Sequence, residues 1–369
     1  MKILYFYPEL RGDFMFYWQR IHFIDELLRN GIDIEILNPL DYDSLGQAHE
    51  VLLKKVKETK YDLFFMSASL YITKDILSCI KRHGVPTLCF RPDNLLIPYI
   101  DKKIASEFDL VWLTSIETEN LYKKWGVNYF FAPYAANPFT FVPQYTKQIN
   151  KVGFIGTPYG SRSNMINSFV KAGVEIDVFC RNNPSLMSER FIPKFKGPTM
   201  SSWEVLLNNM RYKEGRIVMW ANLLNRFQKH RLLEYESCIN LLPKVSFDNL
   251  NSIYSNYALS LSSTSARNTD ILKNPVNVIN LRSFEIPMAG GLQFCRYCKE
   301  LADYFEEDKE IVFYRTTEEM IDKALFFTSK ARISDINSMK LAARRRATTD
   351  HTWTKRFNIA FKILGLKEI

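Results

Sequence analysis

Histidine and cysteine are scarce in this chain of 369 residues, which has five of the first and six of the second. Cysteines stand at 79, 89, 180, 238, 295 and 298, and histidines at 22, 49, 83, 230 and 351. Only Cys295 and Cys298 form a close pair, and neither a second pair nor a histidine cluster stands at zinc-ligand spacing. No metal is expected. The pair reads first as two half-buried cytosolic thiols and only second as a redox couple. No apolar run approaches the ~20 residues of a membrane span. The opening residues 1–8 are too short for a signal peptide and read as a buried strand, so a cytoplasmic location is expected. No nucleic-acid motif, low-complexity tract or internal repeat beyond two βαβ-type halves is found. Aromatic residues make up 14% of the chain, but they fall in strands and on helix faces, not in a basic stacking platform.

What is present is a soluble balance, 47% hydrophobic and 24% charged, with a net charge of +9. That charge admits nucleic acid, an anionic membrane surface or anionic substrates as partners. The densest basic run, Arg344-Arg345-Arg346, reads as a solvated helix face. The length suits two domains.

The apolar rhythm is βα throughout. Residues 2–7 form a β-rich strand, followed by a glycine turn at 9–13. A helix over 14–30 carries an apolar stripe, and 32–36 is a strand of period two. Strands at 61–66, 86–90, 108–113 and 127–132 alternate with helices near 73–82, 98–106 and 115–125. A proline-marked linker at 133–143 follows, and the rhythm restarts with strands at 152–155 and 174–179. Residues 181–235 are hard to read, either an insertion near the acceptor or a helical cap on the second domain, and the cap is favoured. Helices at 247–255, 299–305, 317–329, 334–349 and 353–364 and strands at 258–261, 292–294 and 311–314 complete the chain. Alternation of this kind implies parallel sheets with ligands beyond the carboxyl ends of the strands. In the first half those ends carry Arg11, Asp13, Arg91 and Asp93.

Two stretches suit an anion. The turn Gly156-Thr157-Pro158-Tyr159-Gly160-Ser161-Arg162 links a strand to a helix, where backbone amides can face phosphate oxygens. In Asn280-Leu281-Arg282-Ser283-Phe284-Glu285, an arginine precedes a helix start and a carboxylate follows one step in. The arginine and helix amides suit a diphosphate, and the carboxylate suits ribose hydroxyls. Gly290 and Gly291 stop that helix and allow close backbone approach. An ordinary surface ion pair and helix cap are the alternative.

The second stretch, continued by Glu300–Phe305, Lys309–Tyr314 and Glu318–Met320, resembles the C-terminal half of CgeB-like (spore-maturation-type) glycosyltransferases of the GT-B group. That resemblance implies an α/β GT-B fold: two Rossmann-like domains facing a central cleft, with a C-terminal helix crossing back to the first domain. The implied domains are 1–143 plus 352–369 for the acceptor and 150–351 for the donor. It implies a nucleotide-sugar donor, UDP-linked by expectation, and no metal or other cofactor. The donor site would comprise Gly156, Tyr159, Arg162, Arg282, Glu285, Gly290 and Gly291. Glu285 falls where retaining GT-B enzymes carry the second of two glutamates, and Asn277 stands at the first position. Arg282 would meet the charge on the departing diphosphate. On the acceptor side stand Arg11 and Arg91, with Asp13 or Asp93 as general base if the enzyme inverts. Asp13 also reads as a helix N-cap and Asp93 as a turn residue. The implied acceptor is a glycan, a lipid-linked sugar or a polymer in bacterial surface polysaccharide or glycoconjugate synthesis. Peripheral association with the inner membrane face, through aromatics near 14–18, is a further expectation. A GT-B epimerase and a non-catalytic sugar- or partner-binding protein of coat or capsule assembly are the competing readings.

Overall fold

The computed structural model describes residues 1–10, 14–183, 192–228, 231–234 and 236–369. Arg11 and Asp13 lie outside the described residues. The chain forms two compact units, Met1–Pro133 with Met187–Arg216 and Trp353–Ile369, and Tyr134–Leu186 with Ile217–Thr352. Each unit holds one six-stranded sheet. No helix among the described residues is long and apolar enough to cross a membrane.

In the first unit the strands are β1 (Lys2–Phe6), β2 (Asp33–Leu37), β3 (Leu63–Met66), β4 (Thr87–Arg91), β5 (Leu110–Leu113) and β6 (Tyr129–Phe131), in the order β2-β1-β3-β4-β5-β6. All pairings are parallel. β3, β4 and β5 are buried along their whole length, which is why β3 and β5 read as continuous apolar runs and β4 carries an apolar centre. Helices α1 (Phe14–Gln19), α2 (Asp25–Arg29), α3 (Leu45–Glu58), α4 (Lys74–Arg82) and α5 (Glu119–Lys124) accompany the sheet. The helix expected over 14–30 is interrupted, because the backbone leaves helical geometry at His22 (φ −91°, ψ −105°). The helix expected near 98–106 is replaced by two short 3₁₀ turns, Pro98–Ile100 and Ala105–Glu107.

Two further segments complete this unit. Helix α14 (Trp353–Ile363) returns to it, as the resemblance implied. Trp353 is fully buried among His22, Phe23, Phe90 and Trp112 and donates through Nε1 to His22 Nδ1 at 3.1 Å. Glu26 caps the helix by accepting from the amides of Trp353 (3.2 Å) and Thr354 (2.6 Å). The second segment contains α7 (Ser202–Met210). It joins this unit, not the second, through Lys194 N to Leu40 O (3.2 Å) and Tyr212 OH to Leu95 O (2.7 Å). The stretch 181–235, expected as a cap on the second domain, is thus divided, with 187–216 in the first unit and the residues from Ile217 onward in the second.

The second unit contains β7 (Ile149–Ile155), β8 (Ile176–Arg181), β9 (Ile239–Pro243), β10 (Tyr257–Leu261), β11 (Gln293–Arg296) and β12 (Val312–Tyr314), in the order β12-β11-β10-β7-β8-β9. These pairs are also parallel. Its helices are α6 (Ser161–Lys171), α9 (Phe247–Asn256), α10 (Arg282–Met288), α11 (Lys299–Tyr304), α12 (Thr317–Thr328) and α13 (Ile333–Asp350). Helix α8 (Lys213–Asn225) starts in the first unit and ends in the second.

Helix α13 fixes the second unit through one buried and one half-buried cation. Lys340, 1% exposed, donates to Ser255 O at 2.7 Å, and burial pulls its amine down to about 8. Between about pH 8 and the ordinary lysine range near 10.4, the folded chain binds fewer protons at this site than the unfolded chain. The contribution of Lys340 to stability therefore rises with pH across that window. Lys340→Met should remove about 2–3 kcal/mol of the dependence, seen as a variant most stable relative to wild type at pH 7.5 and least so at pH 10 in urea titrations. Arg344 donates to Phe141 O (2.6 Å), to Pro138 O (3.4 Å) and, in a short contact, to Met288 O at the end of α10. The expected solvated face at 344–346 thus holds one inward, structural arginine. Arg346 does lie at the surface, paired with Glu310 and Asp350.

Candidate functional site

In an open parallel sheet the crevice for a ligand opens where the chain reverses its direction of winding. In the second unit that point lies between β7 and β10, the central neighbours from which the strands proceed outward on both sides. The turn after β7 is the glycine-containing stretch 156–162, and the segment after β10 leads to Arg282.

Three tethers bring these segments together. Past β10, a short ladder (Val278 N to Thr264 O and Ala266 N to Val276 O, both 2.7 Å) folds residues 264–278 back on themselves. Asn280 Nδ2 then ties the start of α10 to Ser263 O at 2.8 Å. The tip of the fold-back, Asn268, accepts from Ser161 N (3.2 Å) at the start of α6, and Asp270 accepts from Ser161 Oγ (2.5 Å). Gly160 is required here. Its φ is +56°, and a side-chain carbon would collide with Asn268 Oδ1.

The arrangement differs from the expectation in one respect. Of the amides expected to face phosphate, Ser161 N is bound to Asn268, Arg162 N to Tyr159 O (3.2 Å) and Ser163 N to Gly160 O (3.1 Å). At α10, Arg282 N is bound to Asn280 Oδ1 (3.0 Å), and Phe284 N and Glu285 N to Leu281 O (both 2.9 Å). These amides are thus engaged within the protein, and an anion here would draw on side chains as well.

Two arginines are placed for it. Arg282 reaches over the β7 turn: a methyl group on Gly156 would sit 3.6 Å from Arg282 Nη2. Arg162 lies over the ring of Tyr159, 4.6 Å from its centre. Burial lowers the Arg162 guanidinium below its ordinary value. Tyr159 and Asp270 oppose the shift, and the like charge of Arg282 adds to it. Two cations that repel each other beside a strand-end turn form an arrangement that an anion would relieve.

Glu285 is 5% exposed on α10. Against it and Arg282 stands the Tyr254 hydroxyl, which is buried and makes no well-formed hydrogen bond. Burial first, then the Glu285 charge, push this phenol well above its usual value, and Arg282 opposes them. Ser262, 1% exposed at the end of β10, likewise has an Oγ without a partner. Unsatisfied buried polar atoms are costly, and the Tyr254 hydroxyl, set against Arg282 and Glu285, is one that a polar ligand there would complete. Neither residue was singled out from the sequence, because a tyrosine in an amphipathic helix and a serine after a strand carry no local signature. Gly290 and Gly291 face protein: side-chain carbons there would strike Pro143 and Tyr145, and Tyr254 O and Ile286. Their close approach seats α10, and its residues 283–288 are all buried.

In the first unit the expected acceptor residues separate. Arg91, 4% exposed, pairs through Nε with Asp101 Oδ2 at 2.5 Å and donates to Ser67 O at 3.1 Å. Asp101 also accepts from Tyr122 OH at 2.8 Å and, in a short contact, from Ser69 Oγ. Arg91 is thus a buried structural cation, which corrects its expected contact with an acceptor. Asp93 is exposed, with a φ of +50° that is unusual for a non-glycine residue. Glu117, just past β5, was not anticipated. Burial raises its carboxyl above the usual range; its own backbone N–H opposes the shift and Glu214 adds to it. Among the described residues no three His, Cys, Asp or Glu side chains cluster as a metal site.

Comparison with known proteins separates fold from activity. Sucrose-phosphate synthase from Thermosynechococcus elongatus superposes with a TM-score of 0.55 at 11% identity, covering 99% of each chain. HepE from Anabaena, in complex with UDP, gives 0.57 at 12%, over 99% of this chain and 100% of that one. An alpha-glucosyltransferase, in complex with UDP and a 13-mer DNA, gives 0.58 at 11%, over 99% of each chain. The fold is GT-B. Residues 204–361 match the family model described as Glycosyl transferase-like. No curated protein matches the chain. The stretch 204–361 is thus similar to glycosyltransferases, the fold of the chain is GT-B, and Arg162, Arg282 and Glu285 all lie on its second Rossmann-like unit.

Proposed function

We propose that this chain is a glycosyltransferase that takes a sugar from a UDP-linked donor held on the second unit. The observation that carries the reading is the convergence of Arg162 and Arg282 on the turn after β7, with Glu285 and Tyr254 beside them. The two guanidinium groups meet the diphosphate, whose charge grows as it leaves. The Glu285 carboxylate accepts from the ribose hydroxyls, for which it has the geometry of an acceptor and the wrong charge for phosphate. Two structural neighbours are complexes with UDP, which supports the choice of nucleotide.

The finer parts of the proposal rest on the resemblance to CgeB-like enzymes. The alignment of Glu285 with the second glutamate of retaining enzymes favours retention, in which the leaving phosphate can take the acceptor's proton. If the reaction inverts, exposed Asp93 is the described strand-end carboxylate for general base. Transfer uses no metal, and the arginines supply the positive charge. The acceptor is a glycan, lipid-linked sugar or polymer of bacterial surface polysaccharide or glycoconjugate synthesis, and the protein works in the cytoplasm.

A thermal-shift panel of nucleotides tests the reading. UDP at about a hundredfold over its Kd adds about 2.7 kcal/mol, a rise of several degrees, where ADP and NAD add little. Glu285→Ala should abolish the rise with UDP. A rise that persists unchanged in the variant would place the nucleotide elsewhere. Conversion of a UDP-sugar to its epimer without acceptor would replace transfer by epimerisation on the same donor site.

A further inference from the structure

Helix α7 is amphipathic in the wrong direction for a core helix. Trp203, Leu206, Leu207 and Met210 follow the i, i+3, i+4, i+7 spacing of a single face, yet they are 74%, 38%, 53% and 53% exposed. No residue of α7 is buried. The face turned to the protein is largely polar: Val205, Asn208 and Asn209 lie over Ile97, Tyr99 and Ile100. The helix is firmly built, with a complete capping box between Ser201 and Glu204. The outward stripe is therefore a preformed apolar face.

Basic residues lie close to α7 and outnumber the acidic Glu204 and Glu214 of the same stretch. Tyr99, beneath α7, has Lys102 Nζ 6.0 Å and Arg211 Cζ 5.7 Å from its ring centre. Lys103 is within electrostatic reach of Glu204. Lys213 and Arg216 follow the helix in sequence. A second copy of this chain would bring two such basic sets together at a cost, whereas an anionic lipid surface complements both the charge and the stripe. Tryptophan is also the side chain best suited to a membrane–water interface.

We propose that the outward face of α7 docks the protein on an anionic membrane surface, with Trp203, Leu206, Leu207 and Met210 entering the headgroup region and the surrounding lysines and arginines meeting lipid phosphates. This relocates the membrane contact expected at 14–18. There Trp18 packs on His22, Phe23 and Trp353, and the side chains of 14–16 lie outside the described residues. The proposal is independent of the donor reading, because docking needs no nucleotide.

Co-sedimentation with vesicles tests it. The full chain should partition at least about tenfold more strongly onto phosphatidylglycerol-containing vesicles than onto pure phosphatidylcholine, and that preference should fade at 0.5 M salt. Trp203→Ser with Leu207→Ser should cut binding at least about tenfold while leaving the unfolding temperature and any UDP shift unchanged. Lys102→Glu with Arg211→Glu should remove the preference for anionic lipid. Wild-type binding retained in the Trp203/Leu207 variant, or no binding to anionic vesicles, would overturn the proposal. So would a concentration-dependent dimer in ultracentrifugation that the same variant dissolves, which would make the stripe a self-association face.

Discussion

Arg282→Ala should weaken UDP binding by at least about a hundredfold, ~3 kcal/mol, while the empty protein stays as stable as wild type or becomes more so. The two halves of this expectation come from one feature. Arg282 and Arg162 stand in each other's field, and that like charge contributes to holding the Arg162 guanidinium below its ordinary value. In the empty site the pair is a small liability, which a diphosphate would turn into two charge-assisted contacts. A residue kept only for packing would behave in the opposite way, lowering the unfolding temperature and leaving nucleotide binding to follow passively. Calorimetric titration of UDP together with thermal unfolding of the apo protein separates the two. Loss of apo stability with UDP affinity intact would remove Arg282 from the site.

Breaking the buried pair in the first unit should produce the largest loss of stability. Asp101→Ala leaves the Arg91 guanidinium inside the protein with no carboxylate, and also strips the Ser69 and Tyr122 hydroxyls of their acceptor. Removing one partner of a buried pair costs about 3–5 kcal/mol. Urea unfolding followed by first-unit tryptophans such as Trp112 and Trp353 should show the transition moving by that amount. Replacing both partners, Arg91→Met with Asp101→Leu, should recover much of the loss, because no charge is then stranded. An equally unstable double variant would mean that the pair is held for a geometry that apolar side chains cannot reproduce.

Much of the architecture could be read from the chain because parallel strands buried on both faces leave unbroken apolar runs. Leu63–Met66 and Leu110–Leu113 are examples. Strand β9 escaped notice because its burial is patchy, with Asn240 and Pro243 exposed. Helix α3 escaped for a different reason. It buries Ala48, His49, Leu52 and Val56, a stripe in which two of the four positions are not strongly apolar. The break at His22 could not be foreseen, since the stripe through 14–30 continues across it and Trp353, which meets His22, is more than three hundred positions away.

The site was legible where chemistry is local. Arg162, Arg282 and Glu285 announced themselves by charge beside glycine turns. The roles of Asn268, which occupies an amide of the α6 start, and of Tyr254, which stands against Arg282 and Glu285, depend on segments brought together only by the fold. Arg91 misled for a related reason: its partner Asp101 lies ten positions on, beyond a turn, and an arginine at a strand end looks the same whether it faces ligand or core.

The central claim is that Arg162 and Arg282 grip a diphosphate while Glu285 holds its ribose. A crystal structure of the chain soaked or grown with UDP tests it most directly. The account predicts diphosphate oxygens within about 3 Å of both guanidinium groups and a ribose hydroxyl donating to Glu285 at similar range. Nucleotide density that leaves both arginines and Glu285 untouched would contradict it.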